Sequence, residues 1–360
     1  MKRLMPLALL LLLPASPASL ADGHPLFESD EVLRAVLTGP LRQVYGQKRQ
    51  EVRLYQPAQW SYVDENGETR RLEVSIRTRG NFRREYCNLP PLQLNFKKKQ
   101  VKGTLFHGQD KLKLVAPCNH GARYQQYVIL EYLAYRAFQL LTDDSYRTRL
   151  IRLTYFDSDE KLKPWTDFVF VIEDDADMAR RLGFERLRVL DVDYDELDHS
   201  RTAIVQLFQF MIANNDYSVI AAGNDGFCCH NVDVLASVDE PTGVIPVPFD
   251  FDMSGLVNAA YAAPPDQVPI LDVRQRYFYG LCQPDEVVED AVEQIRARRG
   301  EILALFENSA ELDDRSRTKS IGYIEDFYAI LDNPARFARE VTARCRGSAH
   351  LERMLEAATD

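Results

Sequence analysis

An α+β protein, with a β-rich first half and a mainly helical second half, is the fold class this sequence predicts. Three observations predict it. Short runs of alternating apolar and polar residues, separated by Gly, Asn, Asp or Pro, fill residues 51–117. Apolar residues at helical spacing dominate after Asp174. No internal repeat or low-complexity linker interrupts the chain, which is long enough for one large domain or two lobes.

The first residues predict a destination. Lys2 and Arg3 precede the apolar run "LMPLALLLLLP" (4–14), and "ASPASLA" (15–21) places Ser19 and Ala21 at the small-residue positions of a cleavage site. This is the layout of a secretory signal peptide cut after Ala21, with residues 1–21 removed. The apolar run is too short for a membrane span, and no later stretch is long enough. The expectation is export to a periplasmic or extracellular, oxidising compartment. A formal net charge of −10 argues against a general binder of nucleic acid or anionic membrane.

Residues 22–174 form the predicted β-rich lobe. It opens with a helix in "SDEVLRAVL" (29–37), capped by Ser29 or Asp30. The strands expected next are "EVRLYQ", "QWSYV", "RRLEVSIRTRG", "PPLQLNF" and "DKLKLVAP", with a hairpin at the Asn-Gly of "DENGE" (64–68). Lys97, Lys98 and Lys99 read as a solvated strand end that discourages edge pairing. "YQQYVILEYLAYRAFQLL" (124–141) carries apolar residues on more than one face and reads as a buried helix. "YRTRLIRLTYFD" and "TDFVFVIED" make a further hairpin.

The helical lobe is predicted over 175–360. Its helices lie in "ADMARRLGF", "RTAIVQLFQFMIANND", "DEVVEDAVEQIRARRGEILALF", "TKSIGYIEDFYAIL" and "PARFAREVTARC". "NVDVLA" and "GVIPVPFD" are the two strands among them, joined by a turn. The acidic runs "EDDAD" (173–177) and "LDVDYDELDHS" (190–200) read as helix caps; the second lacks the Gly and closing Glu of a calcium loop. Six cysteines suit disulfides in an exported protein. The expected bridges are Cys87–Cys118 and one of Cys228 or Cys229 with Cys282. No Cys/His spacing suits structural zinc.

Three pieces of the second lobe belong together. "ANND" (213–216) ends an apolar helix in Asp216, "CCHNVDVL" (228–235) carries His230 and Asn231 into a strand, and "PFDFDMSG" (248–255) follows its partner strand. A hairpin brings Asn231 and Asp250/Asp252 to one end. Carboxylate and amide oxygens there suit Mg²⁺ or Mn²⁺, which keep waters and recruit phosphate oxygens. As purely structural residues, Asp216 and Asn215 would cap a turn, and His230 would be a packed, hydrogen-bonded histidine.

This ordered series resembles the active-site half of protein-kinase-like folds, and within them the CotH family of atypical secreted kinases, with HipA-type kinases more distant. The resemblance covers roughly residues 70–260. It rests on "RGN" (Arg79-Gly80-Asn81), the helix after it, "FVFVIED", Asp216, Asn231 and the aromatic-Asp-x-Asp at 249–252. It implies a two-lobed fold and ATP or another nucleotide as phosphoryl donor, with a protein or small-molecule hydroxyl as acceptor. Asp216 would accept or position the acceptor's proton. Asn231 and Asp250 would hold Mg²⁺, with Asp252 as a helper. Arg79, Gly80 and Asn81 would lie over the phosphates. Lys113, with Lys111 as alternate, would contact them, and Glu131 would pair with that lysine. The chain differs from the family in reading "CNLPPLQ" (87–93) where lysines are usual. It also has no Gly-rich phosphate loop, and Asp225 rivals Asp216 as the site acid. The alternatives are a non-catalytic exported binding or scaffold protein and, more remotely, a haloacid-dehalogenase-type phosphatase. No G-x-S-x-G elbow supports a serine hydrolase.

Overall fold

The computed structural model describes residues 24–222, 226–237 and 243–347. The signal segment and Asp225 lie outside them. The first strand, β1 (Leu33–Gly39), occupies the segment expected to be a helix. Its apolar residues fit both periods, but Leu33, Ala35 and Leu37 are buried at alternate positions, the pattern of a pleated strand. A short helix α1 (Leu41–Gly46) leads to β2 (Gln56–Val63), so most of "EVRLYQ" is irregular. Then come β3 (Thr69–Thr78), helix α2 (Phe82–Tyr86), β4 (Leu92–Phe96), helix α3 (Lys98–Val101) and β5 (Lys111–Val115). The buried helix α4 (Ala122–Leu141) and the hairpin β6 (Thr148–Asp157) and β7 (Trp165–Ile172) follow as expected.

Correcting β1 changes the architecture. β1 pairs antiparallel with β2 and parallel with β6, so neither of its edges stays open. The sheet closes into a seven-stranded barrel in the order β1-β2-β3-β4-β5-β7-β6. Leu37, Trp60, Ile76, Leu94, Leu112, Leu114, Ile151 and Val171 fill its interior. A closed barrel has no edge to protect, and the layout is not a clear two-lobed one. Lys97–Lys99 are exposed at a strand end, with Lys98 and Lys99 in α3.

The second half is mainly helical. Helix α5 (Asp175–Leu182) is capped by Asp174, and a two-residue strand β8 (Glu185–Arg186) follows. Asp198 caps α6 (His199–Ile212), so both acidic runs serve as caps. Strand β9 (Val232–Ala236) pairs with β8 and with β10 (Ile245–Pro248). Helices α7 (Asp285–Ala297), α8 (Arg299–Glu307), α9 (Asp314–Leu331) and α10 (Pro334–Glu340) complete the chain, with the expected 285–306 helix broken at Arg298. Helix α4 packs in this second hydrophobic cluster with α6, outside the barrel. Among the described residues, no helix is long and apolar enough to cross a membrane.

The disulfides are Cys87–Cys118, Cys228–Cys229 and Cys282–Cys345. The first was expected; the pairing of Cys282 was not. Leu281 bridges to Arg346, and the Cys282 and Arg346 amides donate to Arg346 and Gly280 carbonyls, which sets Cys345 beside Cys282. Three disulfides fit an exported protein.

Candidate active site

The site forms where α6 ends. Ala213 adopts a left-handed conformation (φ 49°), and the Asp216 amide donates to Asn214 Oδ1 at 3.2 Å, turning the chain out of the helix. The segment after "FDFD" docks on the same helix end. Gly255 and Leu256 amides donate to the Ala213 and Ile212 carbonyls at 3.0 Å, satisfying groups that the helix leaves unpaired. This docking brings Asp252 towards Asp216.

The hairpin supplies the rest. Pro248 pairs with Val232, and the Phe249 amide donates to the Asn231 carbonyl at 3.0 Å. Asn231 and Asp250 therefore sit at the same end, both in the left-handed region at φ 52° and 63°. Asn and Asp tolerate that conformation better than most residues. Asn231 Nδ2 donates to Asp216 Oδ2 at 3.0 Å and to its carbonyl at 2.7 Å, while His230 Nε2 lies 2.7 Å from Asp216 Oδ1. Asp216 is thus held on both carboxylate oxygens.

A buried ionic group backs this cluster. Arg83, Glu131 and Asp252 are 8%, 2% and 3% exposed. Arg83 lies 3.5 Å from a carboxylate oxygen of each acid and donates to the Ala116 carbonyl. Tyr261 donates to Asp252 Oδ2 at 3.0 Å. Burial, reinforced by the Asp250 charge, pushes the Asp252 carboxyl up to about 7 despite Arg83. Burial also raises Glu131 well above the usual carboxylate range, against the pull of Arg83. Burial opposes the charge on Arg83, but Tyr261, Asp252 and Glu131 outweigh it and keep the guanidinium protonated. The field of Arg79 reaches Asp250, Glu131 and Asp175.

The structure thus brings together Asp216, Asn231, Asp250, Asp252, Glu131 and Arg79. It does not bring Lys113 to Glu131. Lys113 Nζ pairs with Asp175 and lies over the rings of Phe249 (5.4 Å) and Tyr146 (5.6 Å). Alternation along β5 sends Leu112 and Leu114 into the barrel and Lys113 outwards, to the start of α5. Lys111 is exposed. Gly80 (φ 84°) turns the chain, and Asn81 lines an open depression on α2 instead of the carboxylate cluster. Sequence reasoning missed Arg83, which lies four residues after Arg79 and takes the Glu131 pairing given to the lysine. It also set aside His230, although its place beside Asn231 was the available signal.

As donors for a cation, the oxygens are few. Among the described residues, no group of three or more His, Cys, Asp or Glu side chains is disposed to hold a metal ion. No hydrogen bond or ion pair among them engages the Asp250 carboxylate. Because the Asn231 amide nitrogen faces Asp216, its oxygen is left as a second donor. One carboxylate and one amide oxygen suit Mg²⁺, which keeps waters and takes phosphate oxygens, and do not make an all-protein cage. No protein-family model matches the chain, and no curated protein matches it.

Proposed function

We propose that the chain is an exported phosphotransferase of the CotH-like, kinase-like type. It would move a phosphoryl group from ATP or another nucleotide, with Mg²⁺ or Mn²⁺, to a hydroxyl of a protein or small-molecule acceptor. In this reading the barrel serves as the N-lobe and the helical half as the C-lobe. The single observation that carries it is the convergence of Asp216, Asn231 and Asp250 at one hairpin end, three residues far apart in sequence.

Each residue then has a physical task. Asp216 sits at the surface of the cluster, about a third exposed, and accepts or positions the proton of the incoming hydroxyl. His230 and Asn231 fix its two oxygens, which lowers the cost of orienting it. Asp250 and the Asn231 oxygen would hold the cation, and Asp252 with Arg83 and Glu131 forms the buried wall behind them. When bound, a divalent cation supplies neutralisation of the phosphate charge. Arg79 offers a guanidinium with no ion pair among the described residues, suited to phosphate oxygens.

The test separates binding from chemistry. A thermal-shift rise with Mg²⁺·ATP or Mn²⁺·ATP is expected, lost in Asp250→Ala. Asp216→Ala should keep that rise and lose phosphoryl transfer, read as autophosphorylation or phosphate release. Absence of any nucleotide-dependent rise would sink the proposal. The non-catalytic reading is favoured by one fact: both Asp216 oxygens are already engaged within the protein. A rise in Asp216→Ala together with a catalytically silent native chain would select it. The phosphatase alternative has no support, since among the described residues no strand follows Pro248.

A further inference from the structure

One surface beside this cluster has no task in phosphoryl transfer. Phe82 and Tyr86, on successive turns of α2, stack at 5.1 Å with planes 16° apart, yet they are 47% and 56% exposed. Tyr261 closes against both rings at 6.2 and 5.9 Å, and Tyr127 against Tyr261 at 6.5 Å. Phe82 and Tyr86 line an open depression of about 540 Å³ together with Asn81, Arg84 and Glu85, and Tyr261 backs the two rings. Tyr261 belongs to both regions, because its hydroxyl donates to Asp252.

The chemistry of the rim selects the occupant. Among the described residues, Arg84 is the one cation lining the depression, and its guanidinium is spent on Gly80, Lys48 and Glu85 oxygens. Asn81, whose side chain makes no capping bond, and the second oxygen of the 63% exposed Glu85 carboxylate remain for a ligand. An anionic ligand would find no unspent guanidinium among the residues lining the depression. A sugar ring presents one C–H face for an aromatic platform and hydroxyls for amide and carboxylate oxygens around it. We infer that Phe82 and Tyr86, backed by Tyr261, form a carbohydrate-binding subsite for a neutral hexose ring. That this ring belongs to the phosphoryl acceptor rests on the function proposed above; that the subsite binds it does not.

Saturation-transfer NMR and isothermal titration with maltotriose, cellotriose and mannotriose as probes test the subsite on the full chain. Transfer from ring protons of at least one trisaccharide is expected. Phe82→Ala and Tyr86→Ala should each weaken binding about tenfold, the effect of an aromatic contact worth roughly 1.4 kcal/mol. Phe82→Tyr should retain it. Both positions are half exposed, so unchanged thermal midpoints are expected. Transfer from none of the three sugars, or binding indifferent to both alanine variants, overturns the inference. So does adenosine binding in their place and being lost in the same variants. The Mg²⁺·ATP thermal shift, read on the same variants, reports the phosphotransfer reading separately. It should be unchanged whether or not sugar binding is lost.

Discussion

Replacing Arg83 with methionine keeps much of the side-chain volume and removes the charge that faces two buried acids. Breaking a buried ion pair costs about 3–5 kcal/mol, because the abandoned charge stays in a low-dielectric site. Here Glu131 and Asp252 are abandoned together, but a carboxylate can escape by taking a proton. Asp252 already titrates at about 7 in the folded chain, against an ordinary aspartate value of about 4. A carboxyl raised in this way binds more protons folded than unfolded, so stability is highest below pH 4 and falls as pH rises towards 7. Glu131 is raised by burial and acts in the same direction. Without Arg83 both rise further, and the variant's deficit should grow with pH. At pH 5, with Asp252 protonated and Glu131 shifted in the same direction, the loss should be about 1–2 kcal/mol, chiefly the hydrogen bond to the Ala116 carbonyl. At pH 8 it should reach about 3–5 kcal/mol. Urea unfolding followed by circular dichroism, non-reducing and with EDTA present, measures both. An equal loss at the two pH values, or a loss under about 1 kcal/mol at pH 8, would refute the account of Arg83 as counter-ion.

Three further outcomes are expected. Asp250→Asn keeps a residue that tolerates φ 63° and removes a like charge near Asp252, so stability at pH 8 should rise by about 0.5–1 kcal/mol. The Asp252 carboxyl, followed by ¹³C NMR, should then titrate below 7. His230→Ala should lower kcat of phosphoryl transfer about tenfold, the worth of one charge-assisted hydrogen bond, with KM for nucleotide unchanged. His230→Gln, whose amide can replace the ring N–H, should recover most of it. Replacing Cys87 and Cys118 with serine opens a loop spanning 31 residues and should cost about 3–4 kcal/mol in chemical unfolding.

The helices were legible where one face or a cap declared them: α4 and α6 lie where apolar spacing put them, and Asp174 and Asp198 cap as read. Barrel closure was not legible. "VLRAVL" satisfies helical and strand spacing equally, and only its pairing with both β2 and β6, a non-local fact, decides between them. The site was legible as a set and not as pairs. Asp216, Asn231 and Asp250 were found by order along the chain. The partner of Glu131 was missed because a pattern cannot distinguish two nearby cations, and strand alternation had already turned Lys113 towards Asp175.

Charge balance explains why that pairing matters. Asp252 lies in the fields of Asp250 and Asp216, Glu131 lies in those of Asp252 and Asp250, and the guanidinium groups of Arg79 and Arg83 are the cations that oppose them. Had Lys113 stood beside Glu131 as expected, the buried wall would hold a second cation. Instead Asp175 neutralises that lysine, Arg186 links Asp175 (3.2 Å) to Asp233 (2.5 Å), and Tyr146 donates to Asp233. The lysine's charge is therefore spent within its own network, and a ligand in the cleft meets the Asp216 and Asp250 carboxylates, joined by Asp252 as it ionises at about 7. The Asp216 and Asp250 carboxylates would face a metal-free polyphosphate with like charge, which a divalent cation between them would offset. The expected order of binding follows from that asymmetry. Mg²⁺ or Mn²⁺ should raise the thermal midpoint by itself, and ATP with EDTA should not. A response to metal-free ATP equal to that of the Mg²⁺ complex would place the phosphates on Arg79 alone and remove Asp250 from the site.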